Sequence, residues 1–310
     1  MTQERRCKYR TGCRWAVRFV VALLVLAIAG VLGKTWLEAR KLVTNPPAVR
    51  KLPQQTPADF GLVFSEVAVT TADGLRLVGW YVPGRNGALV IAQHGYKSQR
   101  GEMLEEAQML ARRGYGVLLT SLRAHDRSDG EVITFGVREI EDANAWYRYA
   151  LTLPGVDGKR IGMLGNSMGA VIAIEYAAQQ PGIRALVAHS PFSSLDETIA
   201  TSVSYYTGLP PFPFAALIQF WAERRLGVGA ASIDAKHWIG SISPRPVLIL
   251  QGGADVTVIP QSGRLLYAAA GEPKELWFEP ELGHANFDTQ LSAEYERRVG
   301  DFFDRHLLPH

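Results

Sequence analysis

The stretch Arg160-Ile161-Gly162-Met163-Leu164-Gly165-Asn166-Ser167-Met168-Gly169-Ala170 constrains this chain more than any other. An apolar run of strand character ends at Gly165, and a helix-like run from Val171 to Gln179 begins just past Gly169. Gly-x-Ser-x-Gly lies between them. Strand, tight turn, helix is the order that a nucleophile elbow requires. Glycines at 165 and 169 let strand and helix approach closely, where a side chain would obstruct the turn. Ser167 is then expected at the exposed tip, over a helix N-terminus whose N–H groups face a developing oxyanion. The bland alternative is a glycine-rich βα turn of any α/β protein. A base, an orienting acid and a second oxyanion donor must therefore come from elsewhere in the chain.

At 310 residues, 47% hydrophobic and 20% charged, the chain has apolar material for a sizeable core. Its net charge of +3 is concentrated in residues 1–18, where Arg5, Arg6, Lys8, Arg10, Arg14 and Arg18 stand against Glu4. The remainder is slightly acidic, which argues against nucleic acid as a partner. Phe19 to Gly33 carries no charge, and Trp15 to Leu37 as a helix spans about 34 Å, enough for the hydrocarbon core. Arg18 and Lys34 would snorkel outward, with Trp15 and Trp36 at the two interfaces. We expect a basic cytoplasmic tail over 1–18, a transmembrane signal-anchor over 19–37, and the domain outside the cytoplasm, on the periplasmic or extracellular side. Cleavage of a signal peptide near Ala29, releasing a secreted domain, is the alternative, and a buried core helix the bland one. Both cysteines, Cys7 and Cys13, lie in the tail, so the domain has neither a disulfide framework nor a Cys metal site.

Residues 38–60, with Asn45-Pro46-Pro47, Pro53 and Pro57, read as a proline-stiffened linker. A single domain over 61–310 follows. Ser65–Thr71 and Leu75–Val82 alternate around Ala72-Asp73-Gly74 as a β-hairpin. Strands at Ala88–Gln93, Val117–Ser121, the elbow strand, Ala185–Ala188, Pro246–Leu250 and Glu275–Phe278 then alternate with helical stretches. That alternation predicts an α/β fold with a mostly parallel sheet covered on both faces. It breaks at about 191–244, an insertion read as a cap over the sheet's C-terminal edge, or else as an aromatic patch touching the membrane. Tyr205, Tyr206, Phe212, Phe214 and Trp221 of this insertion are the candidate substrate-pocket residues.

Ser167, Asp255 and His284 occur in the order nucleophile, acid, base, each just after an expected strand. A serine hydroxyl needs an imidazole to take its proton, and the imidazole needs an acid to hold its tautomer. His284 lies on a loop after the last strand, preceded by glycine. His125 reads as a positioning residue and His189 as a packed core histidine, while His237, His306 and His310 lie in the cap or tail. Asp288 suits the N-cap of the last helix. The oxyanion donors are assigned to the backbone N–H of Met168 and of Tyr96, in His94-Gly95-Tyr96.

Together, His94-Gly95-Tyr96, Arg123 to Gly130, Val156 to Ile161, Gly165 to Gly169, Gly253 to Asp255 and Gly283-His284 resemble the α/β-hydrolase superfamily. The Asp157 to Ile161 lead-in is similar to the branch of acylaminoacyl-peptidase-like and dienelactone-hydrolase-like proteins. The resemblance implies a serine hydrolase acting on an ester, thioester or amide, with no metal or organic cofactor, on a small-molecule, acyl or peptidyl substrate. It also implies that an N-terminal membrane anchor is familiar among relatives. Serine at 167, not aspartate, argues against haloalkane dehalogenases and epoxide hydrolases, and His-Gly-Tyr departs from the His-Gly-Gly-Gly of hormone-sensitive-lipase relatives. Ala170 replaces the second glycine common after the elbow, and no role transfers to Asp126-Arg127. Two other readings use the same fold: a non-catalytic binding or scaffold protein, and cofactor-free perhydrolase or haloperoxidase-type chemistry.

Overall fold

The computed structural model describes residues 3–309, with side chains from Arg14 onward, so the side chains of Cys7, Cys13, the basic residues before Arg14 and His310 lie outside the described residues. Helix α1 runs unbroken from Gln3 to Val43. Its portion from Arg14 to Val43 is long and apolar enough to cross a membrane, and its most apolar stretch is not buried by the rest of the chain. The core-helix alternative is thereby set aside. The helix also continues six residues into the expected linker, because no breaker occurs before Asn45-Pro46-Pro47. Residues 44–60 are not a free tether either. Asn45 donates its side-chain amide to Ala124 O at 2.8 Å, and Arg50 donates to Ser128 O at 2.5 Å.

The domain is an eight-stranded sheet in the order β1-β2-β4-β3-β5-β6-β7-β8. In chain order its elements are β1 (Ser65–Thr70), β2 (Arg76–Val82), β3 (Leu89–Gln93), α2 (Leu104–Arg112), β4 (Gly116–Thr120), α3 (Glu139–Ala150), β5 (Ile161–Asn166), α4 (Met168–Gln179) and β6 (Ile183–His189). There follow α5 (Leu195–Thr207), α6 (Pro211–Leu226), α7 (Ala235–Ile239), β7 (Val247–Gly252), α8 (Ser262–Ala269), β8 (Lys274–Glu279), α9 (Phe287–Gln290) and α10 (Ser292–Leu307). Strand β2 pairs antiparallel with β1 and β4, and β4 through β8 are parallel along the sheet. Strands β3, β5 and β7 are buried along their whole length, which is why they read as continuous apolar runs without alternation.

One core, against α3, α4, α7 and α8, gathers Trp146, Met163, Ile172 and Ile249. The other, against α2 and α10, gathers Leu110, Val187, Phe302 and Phe303. The insertion between β6 and β7 is helical, built from α5, α6 and α7. A third, smaller cluster of Ala39, Val203, Ala215 and Ile218 joins α5 and α6 to the last turns of α1.

Candidate active site

Parallel strands end together at one edge of the sheet, and ligands in such folds gather there. Ser167 follows β5 with φ 53° and ψ −116°, the strained turn of an elbow. The flanking glycines are required. A Cβ on Gly165 would lie 2.4 Å from Gly169 O, and one on Gly169 would lie 2.5 Å from Gln93 O and from His94 O. Asp255 follows β7 and His284 follows β8.

The structure brings these three residues into one hydrogen-bonded line. Ser167 Oγ donates to His284 Nε2 at 2.9 Å, and His284 Nδ1 donates to Asp255 Oδ2 at 2.6 Å. Asp255 is buried and held as an acceptor. Its Oδ1 accepts the backbone N–H of Thr257 at 2.8 Å and of Val258 at 2.9 Å, and Oδ2 accepts Gln251 Nε2 at 3.3 Å. The His284 loop is pinned in turn, with Ala285 N donating to Ser190 Oγ at 3.0 Å.

Tyr96 and Met168 flank Ser167 along the same cavity. A Cβ on Gly95 would sit 3.4 Å from Ser167 Cβ, so the His94-Gly95-Tyr96 loop lies directly against the elbow. Glu102 braces the two: its Oε2 accepts Gly95 N at 3.2 Å, and its Oε1 accepts the side-chain amide of Asn166. Nothing in the sequence marks Glu102 for this task, since it reads as an ordinary acid at a helix start. Beneath the loop, His94 and His125 are buried with ring centroids 4.9 Å apart. Each Nδ1 donates to a carbonyl, Gly95 O and Arg123 O, and each Nε2 accepts an amide, from Leu122 and Lys97. That pattern requires neutral rings, and burial lowers both pKa values accordingly. His125 thus ties Lys97, next to Tyr96, to the segment that follows β4. His189 is a packed core histidine between Phe287 and Tyr295, and desolvation lowers its pKa to about 3.

Above Ser167 lies an apolar cavity of about 830 Å³ including its open mouth. Of the five expected pocket aromatics, Tyr206 alone lines it. Tyr205 is 58% exposed with its ring against Tyr206, and Phe212 is 89% exposed at an extended residue heading α6. Phe214 and Trp221 pack instead into the cluster joining the cap to α1. Helical period decides this: Ile218, Ala222 and Leu226 share one face of α6 and point into the cavity. Leu42 and Val43 of α1 complete the wall, which the reading of 38–60 as a tether had missed. Asp288 is corrected as well. It lies in α9, and the N-cap position of α10 is Leu291. Asp126, to which no role was given, is buried and paired with Arg100 Nε at 3.0 Å. Among the described residues there is no cluster of His, Cys, Asp and Glu able to hold a metal.

The fold agrees with the comparisons. The model of the X-Pro dipeptidyl-peptidase (S15) family matches residues 73–218. An uncharacterized protein of Mycobacterium tuberculosis is 34% identical over 270 residues, covering 86% of this chain and 87% of its own. The Pyrococcus furiosus esterase Pf2001 superposes with a TM-score of 0.73 at 30% identity, over 86% of this chain and 98% of the esterase. An acylaminoacyl peptidase shares the fold at a TM-score of 0.63 and 16% identity. The chain belongs to the α/β-hydrolase superfamily. Within it, the chain is a hydrolase of the type shared by the S15 family and the esterase.

Proposed function

We propose that the protein is a serine hydrolase cleaving a carboxylic ester, thioester or amide, with Ser167 as nucleophile, His284 as base and Asp255 as its orienting acid. The observation that carries this reading is the unbroken hydrogen-bonded line from Ser167 Oγ through His284 to Asp255, at the floor of an apolar cavity. Ser167 Oγ attacks the acyl carbon while its proton passes to His284 Nε2. The oxyanion is met by the N–H groups of Tyr96 and Met168. The bond to the leaving group then breaks as His284 returns the proton to it, leaving an acyl-serine. Water, deprotonated by His284, attacks that ester and releases the acid. Asp255 holds His284 in the tautomer that accepts the serine proton, and is itself fixed by two backbone amides on its other oxygen.

In this reading α1 is a retained membrane anchor, supported by its length, its exposed apolar surface and the basic residues that precede its apolar stretch. The tail would face the cytoplasm and the domain the other side. Replacing Ser167 with Ala tests the chemistry: turnover of p-nitrophenyl esters should drop at least about 10³-fold with the circular dichroism spectrum unchanged. A variant as active as the parent would overturn the assignment.

A further inference from the structure

We infer that the substrate is a membrane-resident acyl ester whose chain reaches Ser167 from the bilayer side, through the part of the cavity walled by α1 and α6. The inference rests on the serine-hydrolase reading and on α1 as a membrane helix, and it names the substrate class of that same site. Helix α1 carries apolar residues exposed as far as Leu37, then turns Leu42 and Val43 into the cavity wall without a break. At 1.5 Å per residue, Leu42 lies about 9 Å along the axis from Trp36, the expected interfacial residue. That distance is comparable to the thickness of one headgroup layer. The cavity wall therefore begins at the outer edge of the headgroup layer, about one such layer above the acyl chains.

The connection is also rigid. Tyr96 Oη donates to Leu42 O and Lys97 Nζ to Lys41 O, each at 2.5 Å, so the last carbonyls of α1 are capped by the loop that holds the proposed oxyanion donor. Membrane depth and the reacting serine are thereby tied through one short path. The cavity offers an aliphatic wall from Ile199, Val203, Ile218 and Ala222, suited to a flexible chain. Its one acid, Glu223, is already engaged by Gln219 Nε2 and Ala230 N. Outside, Tyr205, Phe212 and Phe220 expose their rings on the same cap, where a water-facing lid has no use for them. A chain following this route has only the headgroup layer to cross before it meets an apolar wall.

The test uses the full-length protein reconstituted in phosphatidylcholine vesicles. The probes are 4-methylumbelliferyl acetate in water, and 4-methylumbelliferyl oleate either dissolved in the vesicles or delivered on cyclodextrin to detergent-solubilised protein. The expected result is kcat/KM at least tenfold higher for vesicle-borne oleate than for acetate and for cyclodextrin-borne oleate. Equal use of oleate from both sources would overturn the bilayer route, and hydrolysis of acetate with oleate untouched would overturn the substrate class. Turnover of neither ester would overturn this inference, and failure of a fluorophosphonate probe to label Ser167 in the same sample would sink the hydrolase reading as well. Val43→Trp narrows the α1 side of the cavity, so oleate turnover should fall at least tenfold more than acetate turnover, and equal losses would contradict the route.

Discussion

Glu102 illustrates how one side chain holds two loops of a site in register. Its carboxylate receives Gly95 N on one oxygen and Asn166 on the other, joining the His94-Gly95-Tyr96 loop to the elbow. Displacement of catalytic groups by about 1 Å can cost about 10²-fold in rate. Glu102→Ala should therefore lower kcat by about 10- to 100-fold with KM little changed, and Glu102→Gln, which keeps one acceptor, should recover part of the loss. Steady-state kinetics on a p-nitrophenyl ester read both, and an unaltered kcat in Glu102→Ala would refute the bracing role. Asp255→Asn is expected to cost more, about 10⁴-fold, because the amide can present an N–H to His284 and reverse its tautomer. The three residues of the hydrogen-bonded line were legible in the sequence because each sits just after a strand with a glycine nearby. Glu102 was not. Its partner Asn166 lies 64 residues away, and only the fold brings them together.

Elements pair through buried groups that the sequence pattern cannot assign. Helices α2, α9 and α10 meet at Glu106, Asp288 and Tyr295, and Tyr295 Oη donates to Glu106 Oε1 at 3.3 Å. Burial and the neighbouring acid raise the Glu106 pKa well above the usual carboxylate range, and burial raises that of Asp288 to about 6. The folded state thus retains protons that the unfolded chain releases, so this cluster stabilises the fold most in acid. The contribution declines from about pH 4, as unfolded carboxylates ionise, and is lost for Asp288 as the pH passes about 6, later for Glu106. Glu106→Gln keeps the acceptor for Tyr295 and removes the charge. It should raise the melting temperature by about 2–4 °C at pH 8 and much less at pH 5, measured by calorimetry. The opposite ordering would show that these acids are ionised in the fold. Strand positions were read correctly to within a few residues because buried parallel strands are short apolar runs bounded by turns. The cap was harder. Its aromatics suggested a pocket, yet the face that α6 turns inward is aliphatic, and the rings of Phe214 and Trp221 serve the contact with α1.

At the scale of the whole molecule, α1 is both the apolar N-terminal helix and a wall of the cavity. Thr35, Ala39, Leu42 and Val43 recur at helical spacing along the side facing the domain, while the described residues before them, apart from half-buried Val31, are exposed. This dual use was invisible in sequence, because prolines downstream made residues 38–60 resemble a tether. We expect the full-length protein to stay in the membrane pellet after an alkaline carbonate wash. Recovery of a shortened chain in the soluble fraction, beginning near residue 30, would indicate cleavage.

The central claim is that Ser167 is an activated nucleophile, and labelling with a fluorophosphonate probe followed by peptide mapping tests it most directly. The account predicts a single modified peptide carrying the adduct on Ser167, with labelling lost in His284→Ala. Labelling at another serine, or undiminished labelling of Ser167 without His284, would contradict it.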